Sequence, residues 1–289
     1  MKRTFTAGHG SRLASYVDIV RYHRRGNKRL AEEAVSQARF AQSLVADQEA
    51  PRVLDLGCGS RAAVVVALNN LGVPVVGIDY DVVAPHPSAK VWAAIARQNG
   101  VERAGKTVLR QLLFDRDFYR HMEEALGSSL RWDGVDVRTM DARNLEFEDG
   151  AFSLVFSTVV FEHISDVEAA AREVRRVLRP GGLAHIHIHL YPSLSGGHAL
   201  DWADASPERI PDTVPPWDHL RERTHPAHVY LNELRAADYM SIFRHHFNVL
   251  REEYTTEGED LLTPELANEL QAWSREDLLR RNLTVLLER

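Results

Sequence analysis

Two glycines and two acidic residues in the first third of the chain have the spacing of a nucleoside cofactor site. Residues 53–59 read Val-Leu-Asp-Leu-Gly-Cys-Gly, an apolar strand that ends in a turn with Gly57 and Gly59, two and four positions after Asp55. Glycine lets the backbone approach a ligand where a side chain would collide, and the following helix points free N–H groups at negative charge. Asp79 ends a second apolar run about twenty residues later, the spacing at which a carboxylate meets ribose hydroxyls.

Several histidines could move the proton of a group-transfer reaction, because histidine titrates near neutral pH. His185, His187 and His189 alternate along one apolar run and therefore share one face of a strand. His163 follows the preceding apolar run, and His198 follows a Ser-Leu-Ser-Gly-Gly loop. Ligands of open α/β sheets bind beyond the carboxyl ends of the strands, so the catalytic candidates are His189, His163 and His198. We expect the two earlier histidines of the strand to be buried packing residues.

Alternating strands and helices must position these side chains. Such alternation is typical of a mostly parallel α/β sheet with helices on both faces. A further helix is predicted over 231–245. The predicted strands cover 52–56, 74–78, 135–139, 153–158, 183–190, 247–254 and 283–288.

One core domain with additions accounts for the 289 residues. Apolar residues recur every three or four positions up to Val45, which predicts an N-terminal helical cap within residues 1–48. Residues 49–289 then form the cofactor-binding domain, with insertions at 86–134 and 192–226. The first insertion is longer than a crossover helix needs, and the second consists of long loops, which usually carry function.

Composition limits the class of partner. The chain is 44% hydrophobic and 26% charged, as expected for a globular protein. It has 35 Lys and Arg against 41 Asp and Glu, a net charge of −6, which disfavours nucleic acid and anionic membranes as partners. Cys58 is the single cysteine and cannot form an internal disulfide. With no apolar leader in the sequence, we expect a cytoplasmic protein that acts on a small molecule or saccharide.

The chain resembles the class I S-adenosylmethionine-dependent methyltransferases, in particular the type 11-like group. Residues 53–59 look like their first motif, and Gly-Ile-Asp at 77–79 looks like the strand that ends in a ribose-binding acid. The segments Phe-Glu-His-Ile at 161–164 and Leu-Arg-Pro-Gly-Gly at 178–182 are similar to later motifs, and Asp-Ala-Arg-Asn-Leu at 141–145 to the adenine-binding one. The resemblance covers roughly residues 50–190 and implies a Rossmann-like sheet with an antiparallel last strand.

The resemblance also implies a cofactor and its contacts. S-adenosylmethionine is the implied cofactor, and S-adenosylhomocysteine the product. Gly57 and Gly59 would approach its methionine part, while Asp79 would bind the ribose and Asp141 the adenine amine. Without an acidic or Cys cluster beside the histidines, no metal is expected. The full predicted set of cofactor-binding residues is Asp55, Gly57, Cys58, Gly59, Asp79, Tyr80, Asp141, Ala142 and Ser157.

Two positions depart from the family pattern. Arg61 stands where the family usually has a third glycine, and Ser153 stands where the fourth strand usually carries an aspartate. Neither change removes the predicted pocket. The long stem of Arg61 could reach solvent or the carboxylate of the cofactor.

The favoured function is O-methylation of a small molecule or saccharide. Aromatic and polar residues in and just after the second insertion could hold a sugar ring or could pin the loops on the core; they are Trp202, Trp217, Asp218, His219, Arg221 and Tyr230. Two alternatives stay open. The glycines and Asp79 also fit an NAD-dependent oxidoreductase, and the same pocket could belong to a non-catalytic S-adenosylmethionine-binding protein.

Overall fold

A seven-stranded sheet forms the centre of the computed structural model, which describes residues 12–81, 85, 89–198, 214–225, 227 and 229–289. The strands are β1 (Val53–Leu56), β2 (Val75–Asp79), β3 (Asp136–Thr139), β4 (Phe152–Thr158), β5 (Leu178–His189), β6 (Asn248–Thr256) and β7 (Arg280–Glu288). Their order across the sheet is β3-β2-β1-β4-β5-β7-β6. Strands β1 to β5 pair in parallel, and β7 is antiparallel to β5 and β6. The predicted fold, mostly parallel with an antiparallel last strand, is confirmed.

Helices cover both faces of the sheet. They are α1 (Arg12–Leu44), α2 (Ala63–Asn70), α3 (Ala89–Asn99), α4 (Val101–Arg110), α5 (Arg116–Leu126), α6 (Val167–Val177), α7 (Ala236–His246), α8 (Pro264–Glu269) and α9 (Arg275–Leu279). A π turn, Gln111–Asp115, joins α4 to α5. Over the described part of the chain, every helix is too short or too polar to span a bilayer.

The core lies in two layers, one on each face. On one face α1, α2 and α5 pack on Val53, Leu154 and Phe156. On the other face α6 and α7 pack on a layer that includes Leu54 and Leu56. Neighbouring residues of β1 therefore point to opposite faces, as a pleated strand requires. Because both faces are buried there, β1, β2 and β4 are mostly apolar in the sequence.

Two element boundaries differ from the prediction. Strand β5 begins at Leu178, earlier than expected, because Leu178 already pairs with Phe152 beside an irregularity in the ladder. Helix α7 begins at Ala236, later than expected. The segment before it is held outside the helix by Asn232, whose side-chain amide donates to the carbonyls of Phe161 and Ile164 at 2.7 and 3.0 Å. Hydrogen bonds to distant carbonyls therefore override the local helical pattern.

The two predicted insertions differ in content. The first, 86–134, contains α3, α4, the π turn and α5. In the second, 192–226, residues 199–213 and 226 lie outside the described residues, and Trp202 lies there with them. The described part of this insertion is loop, with one short 3-10 turn at Asp218–Leu220.

Candidate functional site

A cavity of about 730 Å³ opens beyond the carboxyl ends of β1, β2 and β4. This is the edge of a parallel sheet where ligands bind, and the volume is in the range of small-molecule sites. Residues from the loops after each of these strands meet there. The predicted site residues that line this cavity are Gly57, Gly59, Asp79, Tyr80, Asp141, Ala142 and His163.

The glycine turn brings bare backbone to the cavity. The N–H groups of Gly57 and Cys58 both donate to the carbonyl of Ile78 at 2.9 Å, which ties the turn to the end of β2. Gly57 and Gly59 have φ values of +80° and +67°, a conformation that favours glycine. A Cβ on Gly57 would lie 2.2 Å from Cγ2 of Val160, whereas a Cβ on Gly59 would meet nothing within 4 Å. Gly59 therefore exposes its backbone to open space.

Asp79 joins the two loops at the cavity. Its Oδ2 accepts from the N–H of Gly59 at 2.9 Å, and its Oδ1 accepts from the N–H of Asp81 at 3.0 Å. An ionised carboxylate accepts hydrogen bonds only, and ribose hydroxyls are donors that suit it. The second strand and the glycine turn are thus held in the relative position that a nucleoside needs.

Asp141 lines the cavity as part of an ion pair. Nη2 of Arg143 lies 2.6 Å from Oδ2 of Asp141, and Nε lies 3.0 Å from Oδ1. These hydrogen bonds from Arg143 lower the pKa of Asp141, so its carboxylate is ionised at neutral pH. Nη1 of Arg143 also donates to Oγ of Ser165 at 2.7 Å. An adenine amine would therefore share the carboxylate with a guanidinium.

Asp55 is a buried acid with an unused oxygen. It is 4% exposed in β1, and its Oδ2 has no hydrogen-bond partner in the described part of the chain. Burial, and then the charge of Asp79, raise the pKa of Asp55 to about 7. A cationic ligand group nearby would favour its ionised form. Asp55 does not itself line the cavity; it lies two positions before Gly57, which does. The open backbone at Gly59 fits a nucleoside cofactor, and the unused oxygen of Asp55 beside it suits a cofactor that carries an ammonium group.

The remaining predicted cofactor residues divide into two groups. Tyr80, which is 72% exposed, and Ala142 line the cavity. The Cys58 side chain instead packs beside Gly77, and burial raises the pKa of its thiol. Ser157 is fully buried and its hydroxyl donates to the carbonyl of Leu56 at 3.0 Å, so its position does not support a contact with cofactor.

The two departures from the family pattern have structural roles. Nε of Arg61 lies 2.7 Å from Oδ1 of Asp115, and the same buried carboxylate accepts from Nε of Arg110 at 3.0 Å. Arg61 thereby anchors the first insertion to the glycine turn. Ser153 is buried at the start of β4, and its Oγ accepts from the N–H of Arg52 at 3.1 Å.

The three predicted catalytic histidines form one cluster. The ring of His198 stacks on that of His189 with centroids 4.7 Å apart, and meets the ring of His163 edge-on at 5.1 Å. Of the three, His163 lines the cavity. Its Nδ1 lies 2.8 Å from the carbonyl oxygen of Tyr230, which can only accept. Nδ1 therefore carries the proton, and Nε2 is the acceptor of the neutral ring.

His189 is held by a buried network behind this cluster. Its Nε2 lies 2.9 Å from Oγ of Ser195, whose hydroxyl donates to Oε1 of Glu257 at 2.7 Å. Since that hydroxyl proton is committed to the carboxylate, Nε2 of His189 donates to Ser195. Burial, and then neighbouring charges beginning with His198, lower the pKa of His189. Burial, and then His163, lower the pKa of His198 to about 4. Both rings are therefore neutral at neutral pH.

Three residues of this network were missed from the sequence. Glu162 is 1% exposed, its Oε1 accepts from the N–H of His189 at 3.2 Å, and burial raises its pKa to about 8. Because Glu162 directly precedes the candidate His163, the sequence alone could have indicated that it lies near the site. Ser195 and Glu257 are 62 positions apart, and no local pattern connects them.

The earlier strand histidines are half-buried rather than fully buried as expected. The His185 ring stacks on Phe156 with centroids 5.0 Å apart. Nδ1 of His187 lies 2.7 Å from Oγ1 of Thr284 on β7. Both side chains therefore have packing or hydrogen-bonding partners within the sheet.

The aromatic residues of the second insertion mostly pin its loops. Trp217 is fully buried, and its Nε1 donates to the carbonyl of Leu278 at 3.2 Å. Nε2 of His219 bonds to the carbonyl of Tyr191 at 2.7 Å, and Arg221 pairs with Glu269. Asp218 is likewise buried, accepting from Thr224 and His225. Within the described residues of the predicted sugar-binding set, Tyr230 alone reaches the cavity.

The raised pKa of Asp55 gives a pH prediction for the ligand-free protein. The unfolded chain releases this proton near pH 4 and the folded protein near pH 7, so the stability contribution of protonated Asp55 is lost as pH rises between these values. We expect Asp55→Asn to raise the melting temperature at pH 8 more than at pH 5. The control is Asp133→Asn at an exposed position. An equal shift at both pH values in thermal scans would contradict the prediction.

Comparison with known proteins gives one broad family match and several partial ones. A family model described as a methyltransferase domain matches residues 22–239. The chain is 28% identical over 174 residues to norajmaline N-methyltransferase of Rauvolfia serpentina, an alignment that covers 58% of this chain and 48% of that protein. It is 35% identical over 66 residues to the ubiquinone/menaquinone biosynthesis C-methyltransferase UbiE of Desulfotalea psychrophila, covering 23% of this chain and 27% of that protein.

The chain spans about half, or less, of the length of these curated relatives. Among solved structures, an S-adenosylmethionine-dependent methyltransferase from Mesorhizobium loti aligns over 86% of this chain and 98% of that chain, with 19% identity and a TM-score of 0.44.

Proposed function

The chain belongs to the family of methyltransferase domains, in the S-adenosylmethionine-dependent class, and from that premise we propose that it methylates a hydroxyl group of a small molecule. The observation that carries the proposal is that His163, whose Nδ1 bonds to the Tyr230 carbonyl, lines the same cavity as Gly59 and Asp79. A proton acceptor and a cofactor cradle thus share one space. The family also favours a methyltransferase over the alternative of an NAD-dependent oxidoreductase.

The cofactor residues have complementary roles in this proposal. The backbone at Gly57 and Gly59 would lie along the methionine part, and the Asp55 carboxylate would favour its ammonium group. Asp79 would accept from the ribose hydroxyls and Asp141 from the adenine amine. When bound, S-adenosylmethionine supplies an electrophilic methyl group on a sulfonium ion. The protein itself must hold the two substrates in position, exclude water and remove one proton from the acceptor.

His163 would remove that proton. Bound S-adenosylmethionine would supply the methyl group to the acceptor oxygen and leave as S-adenosylhomocysteine, and Nε2 of His163 would take the hydroxyl proton. The Nδ1 bond to the Tyr230 carbonyl holds the ring in place throughout. His189 and His198 are neutral and therefore do not repel the imidazolium that forms. Their proposed role is to support His163 from behind.

N-methylation is the second candidate, since one of the relatives is named an N-methyltransferase. An amine acceptor would lose its proton to the same histidine. A saccharide acceptor has less support, because Trp217, His219 and Arg221 bond to residues of the core and the loops.

We also propose that the protein is cytoplasmic. We further propose that it has no nucleic-acid partner, because its net charge of −6 gives no general attraction to phosphates.

Two measurements test the proposed function. S-adenosylhomocysteine is expected to bind with one-to-one stoichiometry in calorimetry, and no signal at high micromolar concentration would reject the proposal. The protein is then incubated with a cell extract and S-adenosylmethionine that has a deuterated methyl group. Mass spectrometry is expected to find a labelled small molecule, and the labelled atom separates oxygen from nitrogen. Binding without any labelled product would favour a non-catalytic cofactor-binding protein.

A further inference from the structure

One side of the cavity is lined mainly by apolar side chains. Val159 is 39% exposed, Val229 54% and Tyr230 56%, and Val160 and Ile164 complete the same lining. We call these five residues the acceptor wall. A contiguous apolar surface inside a concave site marks a place where a ligand or partner binds. Val160 also lies against Gly57 of the glycine turn, so the acceptor wall begins beside the cofactor motifs. Its other four residues are outside the predicted cofactor-binding set and are available to the second substrate.

The backbone at Val159 is strained in a way that keeps its side chain in this wall. Its φ is +56°, in the left-handed region that β-branched residues rarely enter. Its N–H donates to the carbonyl of His187 at 2.8 Å, which fixes the turn directly after β4. Strained residues of this kind persist at functional sites because the surrounding structure holds them there. Here the strain keeps an aliphatic side chain where a ligand would contact it.

Polar partners on this side of the cavity are few among the described residues. Oγ of Ser165 accepts from Nη1 of Arg143 at 2.7 Å, which leaves its O–H as a donor. His163 offers its Nε2, and Tyr230 its hydroxyl. A saccharide carries many hydroxyl groups, and each one that loses water without gaining a partner costs free energy. The acceptor wall therefore suits a ligand with a single hydroxyl on an apolar framework.

We propose that the acceptor is an uncharged, mainly apolar ring compound that presents one hydroxyl group to His163. Its ring packs on the acceptor wall, and aromatic rings pack favourably on a side chain such as that of Tyr230. This inference rests on the proposed function and adds the substrate class to it. It also selects between the two acceptor types expected from the sequence, because a saccharide would leave most of its hydroxyl groups unpaired.

The test is a calorimetric titration of 2-naphthol, a fused apolar ring with one hydroxyl, into protein saturated with S-adenosylhomocysteine. Methyl α-D-glucopyranoside is the comparison ligand. Val229→Asp places a carboxylate in the acceptor wall, and Leu250→Asp is the matched control on β6, where the aliphatic side chain is 48% exposed. We expect 2-naphthol to bind at least tenfold more tightly than the glucoside. We expect Val229→Asp to weaken naphthol binding at least about tenfold, since the carboxylate must be desolvated, and Leu250→Asp to leave it unchanged.

The results separate this inference from the function beneath it. If S-adenosylhomocysteine binds but the glucoside binds as tightly as 2-naphthol, or Val229→Asp has no effect on naphthol, the substrate class is overturned while the methyltransferase proposal stands. If S-adenosylhomocysteine does not bind, the proposed function fails. The naphthol titrations of the cofactor-free wild type and Val229→Asp then still decide whether the wall binds apolar rings.

Discussion

Replacing His163 by asparagine is expected to slow methyl transfer by about 10² to 10⁴-fold, the usual contribution of a general base. Asparagine is chosen because its side-chain amide can still donate to the Tyr230 carbonyl, the partner of His163 Nδ1 at 2.8 Å. It has no counterpart of Nε2. The loop is therefore held while the proton acceptor is lost. The measurement is kcat with the labelled acceptor, together with the dissociation constant of S-adenosylhomocysteine, which we expect to change less than threefold.

The control for His163→Asn is His245→Ala, because His245 is exposed on α7 and does not line the cavity. It is expected to leave kcat unchanged. His189→Ala should lower kcat less than His163→Asn does, because the ring of His189 is separated from His163 by the ring of His198. Turnover of His163→Asn within threefold of the wild type, or a larger loss for His189→Ala, would remove His163 as the base.

The sheet and the cofactor cradle could be predicted because their signals are local. An apolar run that ends in Gly-Cys-Gly specifies a strand, a turn and a helix from neighbouring residues alone, and Asp79 follows at a regular interval. The strand order depends on packing and was not predicted, whereas the resemblance to a known family supplied the Rossmann-like sheet with its antiparallel last strand. The three candidate catalytic histidines meet in one cluster. His163 and His189 come close because β4 and β5 run in parallel and end at the same edge.

The parts that could not be predicted depend on contacts between distant segments. Arg61 looked like a departure from a glycine motif, and only the buried carboxylate of Asp115, 54 positions away, explains it. Trp217 is a residue type on which sugar rings often stack, yet its indole is buried against the segment before β7. Sequence shows that a residue is aromatic or charged, whereas the direction of its side chain depends on which segment packs beside it. Predictions for loop residues are therefore less secure than those for strand ends.

Asp79→Ala is expected to weaken S-adenosylhomocysteine binding at least about a hundredfold. A hydrogen bond to a charged group contributes about 1.5 to 3 kcal/mol, and two ribose hydroxyls would lose such a bond. The substitution also frees the N–H of Gly59, which donates to Oδ2 of Asp79 at 2.9 Å, so the glycine turn is no longer tied to β2 by this contact. Both effects act on the cofactor side of the cavity. The measurement is the calorimetric dissociation constant.

The loss of affinity in Asp79→Ala should occur without loss of stability. The charge of Asp79 contributes to the raised pKa of Asp55, so removing it allows Asp55 to ionise at lower cost. At pH 8 this gain opposes the loss of the backbone hydrogen bonds, and we expect a melting temperature close to that of the wild type. Asp136→Asn is the control, because Asp136 pairs with Arg138 at the surface and does not line the cavity. Unchanged cofactor binding in Asp79→Ala would exclude Asp79 as the ribose partner.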